Sequence, residues 1–239
     1  IEVWNEQNLD REWATAEGLV AASYVDFLSQ ANAAIEGIDT NIIVISGALA
    51  PTGVSDRVSA VDDFVYMDEL LAAGMLDYAD CVGAHHNGYN IPPDMPFDQT
   101  STFPEASTAF FRGPFDDPHH SWSFKTTIDT YAEKVQAVNP NMPLCVTEFG
   151  WATVEEYDTY PEGFGFALDN TLEEQATWIP QAFQLMHDSG DVWLAFLFNF
   201  DYGNKGNGPT DDNVAYSLVN TEGVPRPAFG AVADMPKPN

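Results

Sequence analysis

The chain has 239 residues, 45% of them hydrophobic and 13% aromatic, enough for one sizeable domain with a real core. Eight Lys and Arg against 37 Asp and Glu leave a net charge of −29. Such a surface repels a phosphate backbone and an anionic membrane, so nucleic acid and membrane are set aside as partners, and an uncharged ligand such as a sugar fits. No apolar run approaches the roughly 18 residues a membrane span needs.

The chain opens on "IEVWNE". Ile1–Trp4 reads as a buried strand that ends in Asn5-Glu6. A helical pattern follows around Gly18–Ile35, with Val20, Tyr24, Phe27, Ala31 and Ile35 at steps of three and four. "NIIVISGALAPT" is a β-branched run of the kind buried on both faces, closed by Pro51 and Gly53. A second helix is predicted over Asp62–Leu76, with Phe64, Met67, Leu70 and Leu71 inward. "DCVGAHHNGYN" is a short strand that runs into polar residues. The stretch 91–120 is long and irregular, and loops of that length are usually functional.

A third helix is expected over Ser123–Val138, on a stripe of Phe124, Ile128, Tyr131, Val135 and Val138. "MPLCVTEFGW" is the next strand. Thr171 and Glu174 have capping-box spacing and start a helix that Pro180 should kink. "DVWLAFLFNF" is the most apolar strand. Five strands separated by helical patterns imply an α/β arrangement of parallel strands with right-handed crossovers. Chemistry then belongs at the carboxyl ends of the strands. No phosphate-cradling glycine fingerprint follows any strand. Cys81 and Cys145 each sit in an apolar run and read as buried free thiols rather than a bridge.

Glu6 ends the first strand and Glu148 the fourth, each directly after apolar residues. Desolvation at the boundary of core and cleft raises a carboxyl pKa. Two such groups facing one another suit glycoside hydrolysis, one protonating the leaving oxygen and the other attacking the anomeric carbon. Either glutamate alone is better explained as a strand-end carboxylate paired with a surface Lys or Arg, or left without one on a chain with eight basic residues.

"WNE" at a strand end, followed three strands later by "TEFGW", resembles clan A of the glycoside hydrolases, which are retaining (β/α)8-barrel enzymes. The resemblance implies a TIM barrel of which this chain supplies about strands 4 to 8 as a single, amino-terminally truncated domain over residues 1–239. It implies Glu6 as acid/base, Glu148 as nucleophile and Asn5 as the partner of the sugar 2-hydroxyl. "DCVGAHHNGYN" looks like the sixth strand of that clan, with His85 the best match to its histidine; spacing alone does not order His86, Asn87 and Tyr89. "AYSLVNTEGVPRPAFGAV" resembles the tail after the eighth strand. Where the clan commonly places a Trp on that strand, "FLFNFDYG" offers Asn199, Phe200 or Asp201 instead.

Trp4, Trp122, Trp151, Phe110, Phe111, Tyr157 and Tyr160 are candidate sugar platforms, with Trp151 best placed; Trp13, Trp178 and Trp193 read as core. His119 and His120 with Asp116 and Asp117 read as a solvated loop rather than a metal site, and "DYGNKGNGPTDDN" as a turn rather than a calcium loop. The substrate-binding set is therefore Asn5, Trp4, His85, Asn87, Tyr89, Trp122, Trp151, Asn199 and Asp201, with no metal and no cofactor. A complete barrel needs about 250 residues, so an amino-terminal half of the same barrel is expected before Ile1; a self-contained five-stranded sheet is the alternative. The function class implies an extracellular protein. A non-catalytic carbohydrate-binding or adhesion module on the same fold, and a metal-dependent hydrolase, are the competing readings. A retaining pair should have carboxyl groups about 5–5.5 Å apart.

Overall fold

In chain order the elements are β1 (Glu2–Val3), α1 (Ala21–Glu36), β2 (Ile45–Ser46), α2 (Asp63–Ala72), β3 (Val82–Gly88), α3 (Phe124–Val138), β4 (Leu144–Trp151), α4 (Leu172–Ser189), β5 (Val192–Leu197), α5 (Asp212–Tyr216) and α6 (Pro227–Ala233). This computed structural model describes residues 1–103 and 119–236. The strand–helix alternation expected from the sequence is present. No helix among the described residues is long and apolar enough to cross a membrane.

The chain forms two compact units. The first holds Ile1–His86, Thr127–Thr147 and Gly190–Ala195. Its backbone rungs step through the strands in sequence order: Ile45 N to Ile1 O, Ser46 N to Cys81 O, Val82 N to Pro143 O and Leu144 N to Asp191 O. β1 pairs with β2 in parallel, and the bridges Ile45–Cys81 and Leu49–Ala84 are parallel too. Val44, Leu49, Val82, Leu144 and Val146 are buried, as continuous β-branched and aliphatic runs require when helices cover a parallel sheet. Tyr24 pins α1 to the strands. Its hydroxyl donates to Val3 O at 2.8 Å and accepts from Gly47 N at 2.6 Å. Burial pushes that phenol well up, so the proton needed for donation stays in place.

Three expectations are corrected in this unit. The inward face of α1 is Ala21, Tyr24, Val25 and Leu28; Val20 and Phe27 lie on its exposed side. Phe27 instead packs edge-on against Trp4 and Trp13. Trp193, expected in the core, is 51% exposed on β5. Cys81 and Cys145 are joined in a disulfide with Cα atoms 5.8 Å apart. The two apolar runs lie side by side, and both half-cystines share one cluster with Ile45. Sequence shows each cysteine's own surroundings but not that they are the same surroundings.

The second unit holds Asn87–Thr126, Glu148–Ser189 and Phe196–Asn239. Trp151 is its pivot. Its indole N–H donates to Ile91 O at 3.0 Å, and its carbonyl accepts from Gln175 at 2.8 Å. Gly88 is a glycine because a Cβ there would run into that indole. The capping box is formed: Glu174 N donates to Thr171 Oγ1 at 3.1 Å and Thr171 N to Glu174 Oε2 at 2.7 Å. Pro180 lies within α4 and does not end it. The tail forms a Val219–Pro225 bridge and a turn at Gly223 (φ 80°), and Pro227 opens α6. Buried Arg226 ties it down, bonding the carbonyls of Ala215 and Ser217 and pairing with Glu156 at 2.6 Å.

Candidate active site

The end of β1 is held away from relaxed geometry. Trp4 has φ 77° and Glu6 φ 46°, a left-handed conformation that ordinary side chains rarely adopt. Anchors on both sides keep it so. Glu6 N donates to Ala48 O at 2.9 Å. Gln7 reaches Gly47 O, while the Asn8 amide reaches Ala50 O and Val61 O and accepts from Ala50 N. Backbone strain maintained by surrounding bonds is common where a side chain must be aimed.

The Glu6 carboxyl, 15% exposed, faces the permanent cation Arg11 and the imidazole of His85. Oε1 lies 3.2 Å from His85 Nδ1 and Oε2 accepts from Arg11 Nη2 at 3.0 Å. Burial alone would push this carboxyl up. The His85 bond and charge, with the Arg11 bond and charge, outweigh burial and hold it below the usual carboxylate range. That corrects the expectation of a raised value at Glu6. The neighbours that reverse the sign come from β3 and from the loop after β1. Arg11, 69% exposed on its side chain, is held at its other end by Glu12 at 3.5 Å. Neither Arg11 nor Glu2, which stands behind His85, was expected at the site. Glu2 carried a signal, as a charged residue inside an apolar strand.

Glu148 sits on the last half of β4, and Asn87 Nδ2 donates to its Oε2 at 3.4 Å. Tyr89 turns its ring onto Phe166, 4.8 Å away. Asn199 bridges its own loop, donating to Asn213 O at 2.7 Å and accepting from Tyr202 N at 3.1 Å. Asp201 pairs with Lys205 at 2.6 Å. Phe200 is exposed and lies 5.7 Å from Phe229.

The aromatic platforms fare unevenly. A sugar needs an open ring face, and Trp151 is 1% exposed between Phe124 and Trp178. Trp122 is buried beside Ile91. Both are corrected to core residues. Trp4 is half-exposed, with its N–H on Glu12 O at 2.7 Å and its ring against Trp13 and Phe27. Tyr157 stacks under the Arg226 guanidinium, and Tyr160 is exposed. His119 and His120 stack at 4.1 Å. In the "DYGNKGNGPTDDN" turn, Asp211 is taken up by the amides of Asn207 and Asn213. Phe110, Phe111, Asp116 and Asp117 lie outside the described residues.

No protein-family model matches the chain. No curated protein matches it. Solved structures do. A GH39 enzyme from Xanthomonas axonopodis pv. citri superposes with a TM-score of 0.58 at 20% identity, over 96% of this chain and 38% of that one. An endo-laminarinase from Formosa Hel1_33_131 gives 0.56 at 15% identity, over 96% and 56%. An endo-beta-1,3-glucanase (GH128, subgroup II) from Pseudomonas viridiflava gives 0.55 at 15% identity, over 99% and 70%. The chain therefore shares the fold of these glycoside hydrolases and spans 38% of the length of the Xanthomonas enzyme.

Proposed function

We propose, from this shared fold, that the chain is the carboxyl-terminal part of a (β/α)8-barrel retaining O-glycoside hydrolase, contributing strands 4 to 8 and both catalytic carboxylates. The observation that carries the reading is the hold on Glu6, whose left-handed backbone aims its carboxyl at His85 and Arg11. His85 bonds Glu6 and Asn87 bonds Glu148. The substrate is a poly- or oligosaccharide, in keeping with a surface of charge −29 that favours an uncharged ligand.

In the first step the Glu148 carboxylate attacks the anomeric carbon, the glycosidic C–O bond breaks, and Glu6 gives its proton to the leaving oxygen. In the second, Glu6 takes a proton from water, the water oxygen bonds to the anomeric carbon, and Glu148 is released. Asn5 bonds the 2-hydroxyl. Glu6 must therefore hold a proton when substrate is bound, although His85 and Arg11 favour its anion in the free chain. Arg11 is exposed, so a sugar occupying its place would take its charge away from Glu6. No step requires a metal or organic cofactor. The Cys81–Cys145 disulfide supports an oxidising, extracellular setting.

The test is stereochemical. Proton NMR of the first-formed sugar should show the anomeric configuration of the substrate retained. An inverted first product would rule out the double displacement and point to carboxyl groups more than about 6.5 Å apart.

A further inference from the structure

His85 is 2% exposed, and a carboxylate stands off each of its ring nitrogens. Nδ1 is 3.2 Å from Glu6 Oε1, and Nε2 is 4.0 Å from Glu2 Oε1. Glu2 is fixed in turn. Its Oε1 accepts from Ala48 N at 3.1 Å and from the Thr147 hydroxyl at 2.9 Å. A carboxylate facing Nε2 repels a lone pair and attracts a proton there. With Nε2 protonated, Nδ1 is the nitrogen that meets Glu6. It accepts from a protonated Glu6 or donates to an ionised one. The two states contain the same atoms and charge: a carboxylic acid with a neutral imidazole, or a carboxylate with an imidazolium.

We propose that Glu2 is a positioning residue that acts through His85, fixing its Nε2–H tautomer and drawing the proton shared by Glu6 and His85 toward the imidazole. Its bearing on catalysis rests on Glu6 being the acid/base; its bearing on His85 does not. The arrangement is the metal-free counterpart of the carboxylate–histidine pairs that orient imidazoles elsewhere. Other ionisable groups among the described residues stand near the trio. Arg11 holds the second Glu6 oxygen. Tyr24 of α1 and Tyr131 of α3 are buried phenols pushed up by desolvation, so they stay neutral, with Tyr131 bonded to Asp63 of α2 at 2.6 Å. His86 is the next residue along β3 and is buried.

The experiment is E2Q, which keeps an oxygen for Ala48 N and Thr147 and removes the negative charge. Nitrogen-15 NMR of histidine-labelled protein reads the protonation midpoint of His85, assigned by its loss in H85N. The midpoint should fall by about one pH unit in E2Q. E2D, which keeps the charge, should stay closer to wild type. An unchanged midpoint in E2Q, or an equal fall in E2D, overturns the proposal. In kinetics, a weaker imidazolium stabilises the Glu6 anion less, so Glu6 keeps its proton to higher pH and the alkaline limb of kcat/KM moves up. If the His85 midpoint moves but no glycoside is cleaved, Glu2 positions His85 and the glycosidase reading fails. If cleavage depends on Glu6 and Glu148 while the midpoint stays put, the reverse holds.

Discussion

Glu148→Gln should lower kcat on an aryl glycoside by about 10⁴-fold or more, because an amide cannot form the covalent intermediate and no other step bypasses it. Glu6→Ala should behave differently. Loss of a general acid costs about 10²–10⁴-fold, but the cost depends on how much the leaving group needs a proton. A nitrophenolate leaves unaided, so the first step should survive with activated substrates and fail with a natural oligosaccharide. The second step then limits turnover, since no base activates water. A small anion such as azide, entering the space left by Glu6, should restore turnover and yield a glycosyl azide. Steady-state kinetics on both substrate types, with and without azide, separates the two roles. Substantial activity in Glu148→Gln removes the nucleophile assignment. Equal losses on both substrates in Glu6→Ala remove the acid/base assignment.

Cys81→Ser with Cys145→Ser should destabilise the chain by about 4 kcal/mol, the chain-entropy value for closing a loop of that span. The bridge joins residues 64 apart in sequence. It ties the start of β3 to β4 inside a cluster with Ile45, so the cut also leaves two hydroxyls in apolar surroundings. In a chain of this size the loss corresponds to a melting temperature lower by about 10 °C. Thermal melts of wild type with and without reductant, beside the double variant, check it. Wild type under reductant should fall to the level of the variant. Identical melting in all three would mean the bridge constrains nothing.

Much of the fold was legible because its signals are local. The capping box at Thr171 and Glu174 is a four-residue motif, and it formed as written. Alternating strand and helix periods carry their own partners' directions. The strand-end glutamates stood out because a charge after an apolar run is costly without a purpose. What was hidden depends on partners distant in sequence. Phe27 keeps helical spacing with Tyr24, yet it lies on the outer side of α1, where it packs against Trp4 and Trp13. Trp151 is three residues past Glu148, and an odd spacing on a strand points to the opposite face. That is why it ends in the core rather than under a sugar. The disulfide needed the pairing of β3 with β4. The lowered carboxyl at Glu6 needed His85 and Arg11, one 79 residues away and the other five.

The central claim is that Glu148 becomes covalently glycosylated while Glu6 serves as acid/base. A 2-deoxy-2-fluoro glycoside with a good leaving group slows the second step more than the first, so the intermediate accumulates. Peptide mass spectrometry of the trapped protein should find the added sugar on Glu148, and the label should disappear as activity returns. A sugar on Glu6 or on any other residue would contradict the account.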